Sequence, residues 1–230
     1  MPVTFPPDFK ALVVGADGAL GQAFVKHLQH EMACTDVQCL SRSADGFDLR
    51  DAASLERLGH RLAGAGPFHL IVDATGALTI GGVGPEKSLA QLDADALHQA
   101  MAVNAIGPVL LLRQLAPLLA RGDAIYAKLS ARVGSIGDNR KGGWYGYRAA
   151  KAALNMLLQT TAIEVARRRP LAVVAALQPG TVRSPLSRPF VGDNAMLPED
   201  SARALLAVLD DLPPTGRAQF VDHLGRPIAW

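Results

Sequence analysis

The chain has 230 residues; 49% are hydrophobic, 19% are charged, and 23 basic side chains stand against 21 acidic ones. Such a composition excludes a disordered chain, and the near-even charge excludes a protein built chiefly to hold nucleic acid. No purely apolar stretch reaches the roughly 20 residues of a bilayer-spanning helix, no leader pattern opens the chain, and Cys34 and Cys39 make no disulfide framework, so a cytoplasmic protein without a membrane partner is expected.

In chain order, the first buried strand is predicted at Ala11–Val14, and it runs into Gly15-Ala16-Asp17-Gly18-Ala19-Leu20-Gly21. A helix over Ala19–Met32 follows. Glycines spaced in this way let a pyrophosphate approach backbone N–H groups at the positive end of a helix. A plain tight strand–helix turn uses the same spacing. The second strand, Val37–Leu40, ends at Ser41-Arg42. An acid there would bind both hydroxyls of a ribose. Arg42 suits a 2′-phosphate and an adenine face instead, which favours NADP over NAD; a solvated surface arginine is the plainer alternative. Phe47-Asp48-Leu49 is read as the end of a third strand. Asp48 could accept from an adenine amino group or serve as a turn aspartate.

A helix over Ala52–Leu62 has Asp51 as its cap, and strand His69–Val72 leads to Asp73-Ala74-Thr75-Gly76. A long apolar helix spans Ala94–Leu119. Within it, Pro108 has no N–H for the carbonyl of Asn104, so the helix should bend and free that carbonyl. Strand Ala124–Leu129 precedes helix Trp144–Arg168, in which Tyr147 and Lys151 are four apart and share a face. A phenol of pKa about 10 is a poor acid or base at neutral pH, and a neighbouring ammonium lowers that value. The pair can then give a proton to a carbonyl or take one from an alcohol. Strand Leu171–Leu177 enters Pro179-Gly180-Thr181-Val182-Arg183-Ser184, and Pro185–Leu197 reads as a substrate lid. Helix Glu199–Leu209 and strand Gln219–Val221 close the series. Strands alternating with helices mean a parallel sheet covered on both faces, doubly wound, as a single domain over residues 1–230. The six histidines and two cysteines show no ligand spacing, so no metal is expected.

Taken in this order, these motifs resemble those of the short-chain dehydrogenase/reductase family over nearly the whole chain. The stretch Gly142–Arg148 and the tail Gln219–Trp230 are most similar to its C-factor-like and sniffer-like carbonyl reductase branch. The resemblance implies a Rossmann-type sheet of about seven strands, NADP(H) as cofactor, a carbonyl or alcohol substrate, and a homodimer or homotetramer. It implies that Tyr147 is the general acid/base, that Lys151 supports it and holds the nicotinamide ribose, and that Asn104 and Ser130 complete the catalytic set. It places the cofactor along Gly15, Asp17, Gly18, Ala19, Leu20, Gly21, Ser41, Arg42, Asp48, Leu49, Ala74, Thr75, Gly76, Pro179, Gly180, Thr181, Val182 and Ser184. Three positions depart from the family pattern. Ala131 fills the usual serine slot, leaving Ser130 or Ser135 as the hydroxyl; Ala19 replaces a glycine; and Asp73-Ala74-Thr75-Gly76 replaces Asn-Asn-Ala-Gly. A dinucleotide-bound signalling or scaffold protein is the alternative function, and it has no need of the Tyr147/Lys151 pair.

Overall fold

The computed structural model describes residues 5–6, 8–30, 34–184, 187 and 195–230. Six strands form one parallel sheet: β1 (Phe9–Val14), β2 (Cys34–Leu40), β3 (Leu70–Asp73), β4 (Ala124–Leu129), β5 (Ala172–Gln178) and β6 (Ala218–Asp222), in the order β2-β1-β3-β4-β5-β6. β3 and β4 are buried along their whole length, as strands covered on both faces must be. Helices α1 (Ala19–His30), α2 (Arg42–Asp45), α3 (Ala52–Arg61), α4 (Ala94–Met101), α5 (Gly107–Leu115), α6 (Tyr145–Arg168) and α7 (Pro198–Asp211) connect the strands.

Side chains alternate across the sheet. Val13, Val72, Ile125, Ala127 and Leu177 pack under α1 and α7. Leu12, Ile71, Tyr126, Val174 and Phe220 pack under α3, α5 and α6. Chain order reverses beside β1, whose two neighbours are β2 and β3. Ligands bind at such a switch point, beyond the carboxyl ends of the strands.

Phe47–Leu49 forms no strand, and among the described residues the sheet has six strands rather than about seven. Only eleven residues separate Leu40 from Ala52, and local hydrogen bonds occupy them. The Ser41 hydroxyl caps the short α2, Gly46 ends it at φ 66°, and Asp48 turns the chain by accepting from the Arg50 N–H. The long apolar helix is also not continuous. It divides into α4, one π turn at Ala102–Ile106, α5 and a 3-10 turn at Ala116–Leu118. The π turn lies just ahead of Pro108, and there the Gly107 N–H reaches back five residues to the Ala102 carbonyl. By length and composition the 25-residue run Ala94–Leu118 could cross a membrane, yet Leu111, Leu112 and Leu115 are core residues under the sheet.

The glycine turn is held by the Leu40 carbonyl, which accepts from both the Gly15 and Ala16 N–H groups. Gly15 adopts φ 79°, and a Cβ on Gly21 would meet the Gly15 carbonyl oxygen at 2.0 Å. Backbone faces backbone there, so neither side can yield. Gly21→Ala should therefore cost about 3 kcal/mol of stability, read as a shifted midpoint in urea denaturation; an unchanged midpoint would show that the turn can open.

Candidate active site

A cavity of about 850 Å3 opens at the carboxyl ends of the strands. It brings together Asp17, Gly18, Ala19, Leu20 and Gly21 after β1, Ala74, Thr75 and Gly76 after β3, and Ser130 after β4. Pro179, Gly180, Thr181, Val182 and Ser184 after β5 complete the rim, with Tyr147 and Lys151 of α6 facing them. No acidic residue stands in the first turn of α1, so the positive end of that helix faces the cavity uncompensated from within. Lys141 and Trp144, in the loop expected to border the substrate, also line the space, as do Arg132, Arg148 and Gln178, which the sequence does not single out. Most of the expected lid, Pro185–Leu186 and Arg188–Asn194, lies outside the described residues.

Tyr147 and Lys151 stand one helical turn apart, with the Lys151 Nζ 5.6 Å from the centre of the Tyr147 ring. The amine donates to the Leu129 carbonyl at 3.0 Å. Burial moves both groups toward their neutral forms. It pushes the Tyr147 phenol up to about 12. Lys151 falls to about 7, by burial first and by the charge of Lys128 second, with Asp73 opposing. This corrects the expectation that a neighbouring ammonium holds the phenol below 10: burial raises the phenol, and the Lys151 amine is itself held toward its neutral form.

The catalytic helix begins at a strained corner. Gly142, Gly143 and Trp144 take φ of 63°, 66° and 54° in succession, a conformation that costs a bulky side chain energy. The Glu86 loop holds the corner. Its carbonyl accepts from the Trp144 N–H, and its buried carboxylate accepts from the Gly146 N–H at 3.1 Å. The Trp144 ring then meets Tyr147 edge to face at 6.2 Å. Asn104, on the π turn, locks the next loop: its amide exchanges hydrogen bonds with both backbone groups of Ala77 at 3.0 and 2.9 Å. Asn104 lines a second cavity of about 330 Å3, which shares Tyr147 with the large one.

Below the cavity lies a network of buried polar groups. Asp73 Oδ1 accepts from the Thr75 N–H at 2.9 Å, the Thr75 hydroxyl at 2.6 Å and the Lys128 Nζ at 2.9 Å. Its Oδ2 accepts from the Tyr126 hydroxyl at 3.1 Å. Lys128 also donates to the Thr75 carbonyl at 2.6 Å. A lysine inside an otherwise apolar strand, level with the aspartate that ends its neighbour, was the available signal. Ser130 continues the alternation of Tyr126 and Lys128 toward α6, and its hydroxyl donates to the Asn155 Oδ1 at 2.6 Å. Ser135 is buried and accepts from the Asp138 N–H; it does not line the large cavity.

At the nucleotide end, Ser41, Arg42, Asp48 and Leu49 lie outside the large cavity. Ser41 joins Asp17 in a neighbouring groove. Arg42 is exposed and makes no ion pair among the described residues. Arg50 takes both carboxylate oxygens of Asp48, at 3.0 and 2.6 Å, and holds it down to about 2. Leu49 packs against the start of α5, where a Cβ on Gly107 would meet its carbonyl at 2.2 Å. Among the described residues no group of three potential metal ligands occurs.

Residues 10–194 match the short chain dehydrogenase family. The chain belongs to that family. A Rhodococcus sp. (strain AD45) 1-hydroxy-2-glutathionyl-2-methyl-3-butene dehydrogenase is 29% identical over 95% of this chain and 98% of its own length. The Myxococcus xanthus C-signal protein is 33% identical over 62% of this chain and 84% of its own. Among solved structures, the carbonyl reductase Sniffer of D. melanogaster superposes with a TM-score of 0.82 at 20% identity, covering 97% of this chain and all of that one. An NADPH-bound carbonyl reductase from chicken fatty liver gives 0.80 at 20% identity, over 99% and 96% of the two chains. Family membership makes the chain an oxidoreductase of the short-chain class.

The Glu86 contacts at the start of α6 contribute to stability. Glu86→Ala should lower stability by about 1–2 kcal/mol in chemical denaturation, while Glu86→Gln, which keeps an acceptor for Gly146, should retain most of it. Equal losses in the two variants would assign the effect to packing alone.

Proposed function

We propose that the chain is an NADP-dependent oxidoreductase that interconverts a carbonyl and an alcohol, with Tyr147 and Lys151 as its acid–base pair. The observation that carries this reading is their joint exposure to one cavity whose far end is the glycine turn of β1 and α1. The residues fit a dinucleotide. The cavity runs from Asp17–Gly21 past Tyr147 to Pro179–Val182; Gly76 and Gly180 take positive φ along it, and Gly15 does so behind the glycine turn, outside the lining. The nicotinamide, when bound, supplies or accepts a hydride. Arg42, exposed and without an ion pair among the described residues, is suited to a 2′-phosphate, and the chicken reductase of similar fold is a NADPH complex. The Rhodococcus relative is named as a dehydrogenase and the structural neighbours as carbonyl reductases, which are two directions of one reaction.

In this reading Tyr147, protonated at neutral pH, donates its proton to the carbonyl oxygen. Lys151 re-supplies that proton; Asn104, which like the Lys151 amine lies beside Gly76, borders the second cavity. The carbonyl of Asn104, which Pro108 cannot engage, is the relay's acceptor. Ser130, with its hydroxyl given to Asn155, orients α6, and the substrate oxygen rests chiefly on Tyr147. A second copy of the chain would cover the exposed Met156 and Ile163 of α6, giving a homodimer or homotetramer. The signalling or scaffold alternative draws on the similarity to C-signal and on Ala131 in the usual serine slot.

Titration with NADPH and NADH, followed by a panel of carbonyl compounds at saturating NADPH, tests the reading. NADPH should bind more tightly by about tenfold or more, a margin that Arg42→Ala removes. Tighter NADH binding would refute the Arg42 assignment. Tight NADPH binding with no turnover of any carbonyl would favour the scaffold.

The pH dependence follows from the two shifted groups. The Lys151 ammonium is lost as pH rises through about 7, so reduction should slow above that point. Tyr147 becomes a base only as pH approaches about 12, so alcohol oxidation should speed up with alkalinity. Initial rates in both directions, from about pH 6 to about pH 9, should cross with opposite slopes; parallel slopes would contradict the assignment.

A further inference from the structure

Lys128 and Lys151 are the two buried lysines among the described residues. Both belong to the face of the sheet beneath α6. Along β4, Tyr126 and Lys128 alternate onto that face, and Tyr126 shares its core with Ala150 and Leu154 of α6. The Lys151 amine meets β4 itself, at the carbonyl of Leu129, the residue after Lys128.

The contacts of Lys128 are those of an ammonium. It reaches Asp73 Oδ1 at 2.9 Å, the Thr75 carbonyl at 2.6 Å, the Thr75 hydroxyl at 3.0 Å and, more distantly, the Asp73 carbonyl at 3.4 Å, so none of its protons lacks an acceptor. Asp73 is acceptor to Thr75, Tyr126 and Lys128 together. A pair so deeply buried gives little net stability over apolar side chains of the same volume. Its bonds instead converge on one turn, Thr75–Gly76, which lines the large cavity. At Gly76 a Cβ would stand 3.2 Å from the Asn104 Oδ1 and 3.5 Å from the Lys151 Nζ. The turn thus rests directly on the two groups read above as the proton relay.

We propose that Lys128 is a positioning residue of the active site: with Asp73 and Tyr126 it locks the Thr75–Gly76 turn against Lys151 and Asn104, and it keeps a second positive charge behind the Lys151 amine. The inference rests on the acid–base reading of Tyr147 and Lys151. The titratable groups acting on Lys151 are Lys128 from β4 and Asp73 from β3, with the Tyr147 ring of its own helix beside the amine; the π turn contributes the uncharged Asn104. Of the charged ones, Lys128 favours the neutral amine more strongly than Asp73 opposes it. Lys151 therefore exchanges its proton near neutrality, where a relay must work.

The test uses Lys128→Met and the charge-neutral double variant Asp73→Asn/Lys128→Met, each compared with the wild type for thermal midpoint, NADPH affinity, and the pH profile of carbonyl reduction. With the cation gone, Lys151 should keep its proton to higher pH. The alkaline limb should move up by about one pH unit in the single variant and by less in the double one. In both, kcat should fall about tenfold as the turn loosens. An ion pair that serves folding alone would change the midpoint and leave the limb in place. A folded double variant with wild-type kcat and limb overturns the inference, and so does failure of both variants to fold. If the wild type itself turns over no carbonyl, the underlying reading fails; if it does and the double variant matches it, only the role of Lys128 falls.

Discussion

One carboxylate paired with a buried lysine, beside a second buried lysine whose amine is held toward its neutral form, is the constraint on which the site depends. Asp73 ends β3, level with Lys128 in the register of β4, and both are shut away from water. An isolated charge in that place would be prohibitively costly. The network therefore has to be complete, and it is: each proton of Lys128 and each oxygen of Asp73 finds a partner. Completing it requires Thr75 in one conformation. The conformation of Thr75 in turn fixes Gly76, and through Gly76 the space around Lys151 and Asn104. A demand made by electrostatics inside the sheet thus becomes geometry at its carboxyl edge.

The other walls of the site are set by backbone rather than by charge. Gly21 packs its Cα against the Gly15 carbonyl, which brings the start of α1 up to the cavity. Pro108 denies a hydrogen bond to the carbonyl four residues earlier, and the chain answers with a π turn that aims the Asn104 amide at Ala77. Glu86 holds three consecutive residues at positive φ so that α6 can begin two residues before Tyr147. Each device sits at the end of a regular element, where unpaired backbone groups have to be satisfied in any case.

The strands and helices were largely legible because their signals are local. β4 has the bounds that its apolar run indicates, and the N-cap at Asp51 and the Tyr147/Lys151 spacing are equally short-range. Features that depend on distant partners were not. Phe47–Leu49 looked like a strand, but Ser41, Gly46 and Asp48 spend that segment on a helical turn and an Asx turn. The apolar helix looked continuous because its hydrophobicity does not record how a proline breaks it. Asp73 stood out only as a departure from asparagine, since its partner Lys128 lies 55 residues away and meets it only through the register of two parallel strands. The pKa of Tyr147 was misjudged in direction for a related reason: the spacing shows a neighbouring cation, whereas burial is a property of the whole fold.

The central claim is that a proton passes between Tyr147 and the substrate oxygen. Its most direct measurement is single-turnover oxidation of NADPH, followed by absorbance, with a carbonyl substrate and either the wild type or Tyr147→Phe, after NADPH affinity has been matched. The account predicts intact NADPH binding and a loss of about a thousandfold in the rate of the chemical step. A Tyr147→Phe variant that turns over at the wild-type rate would contradict it.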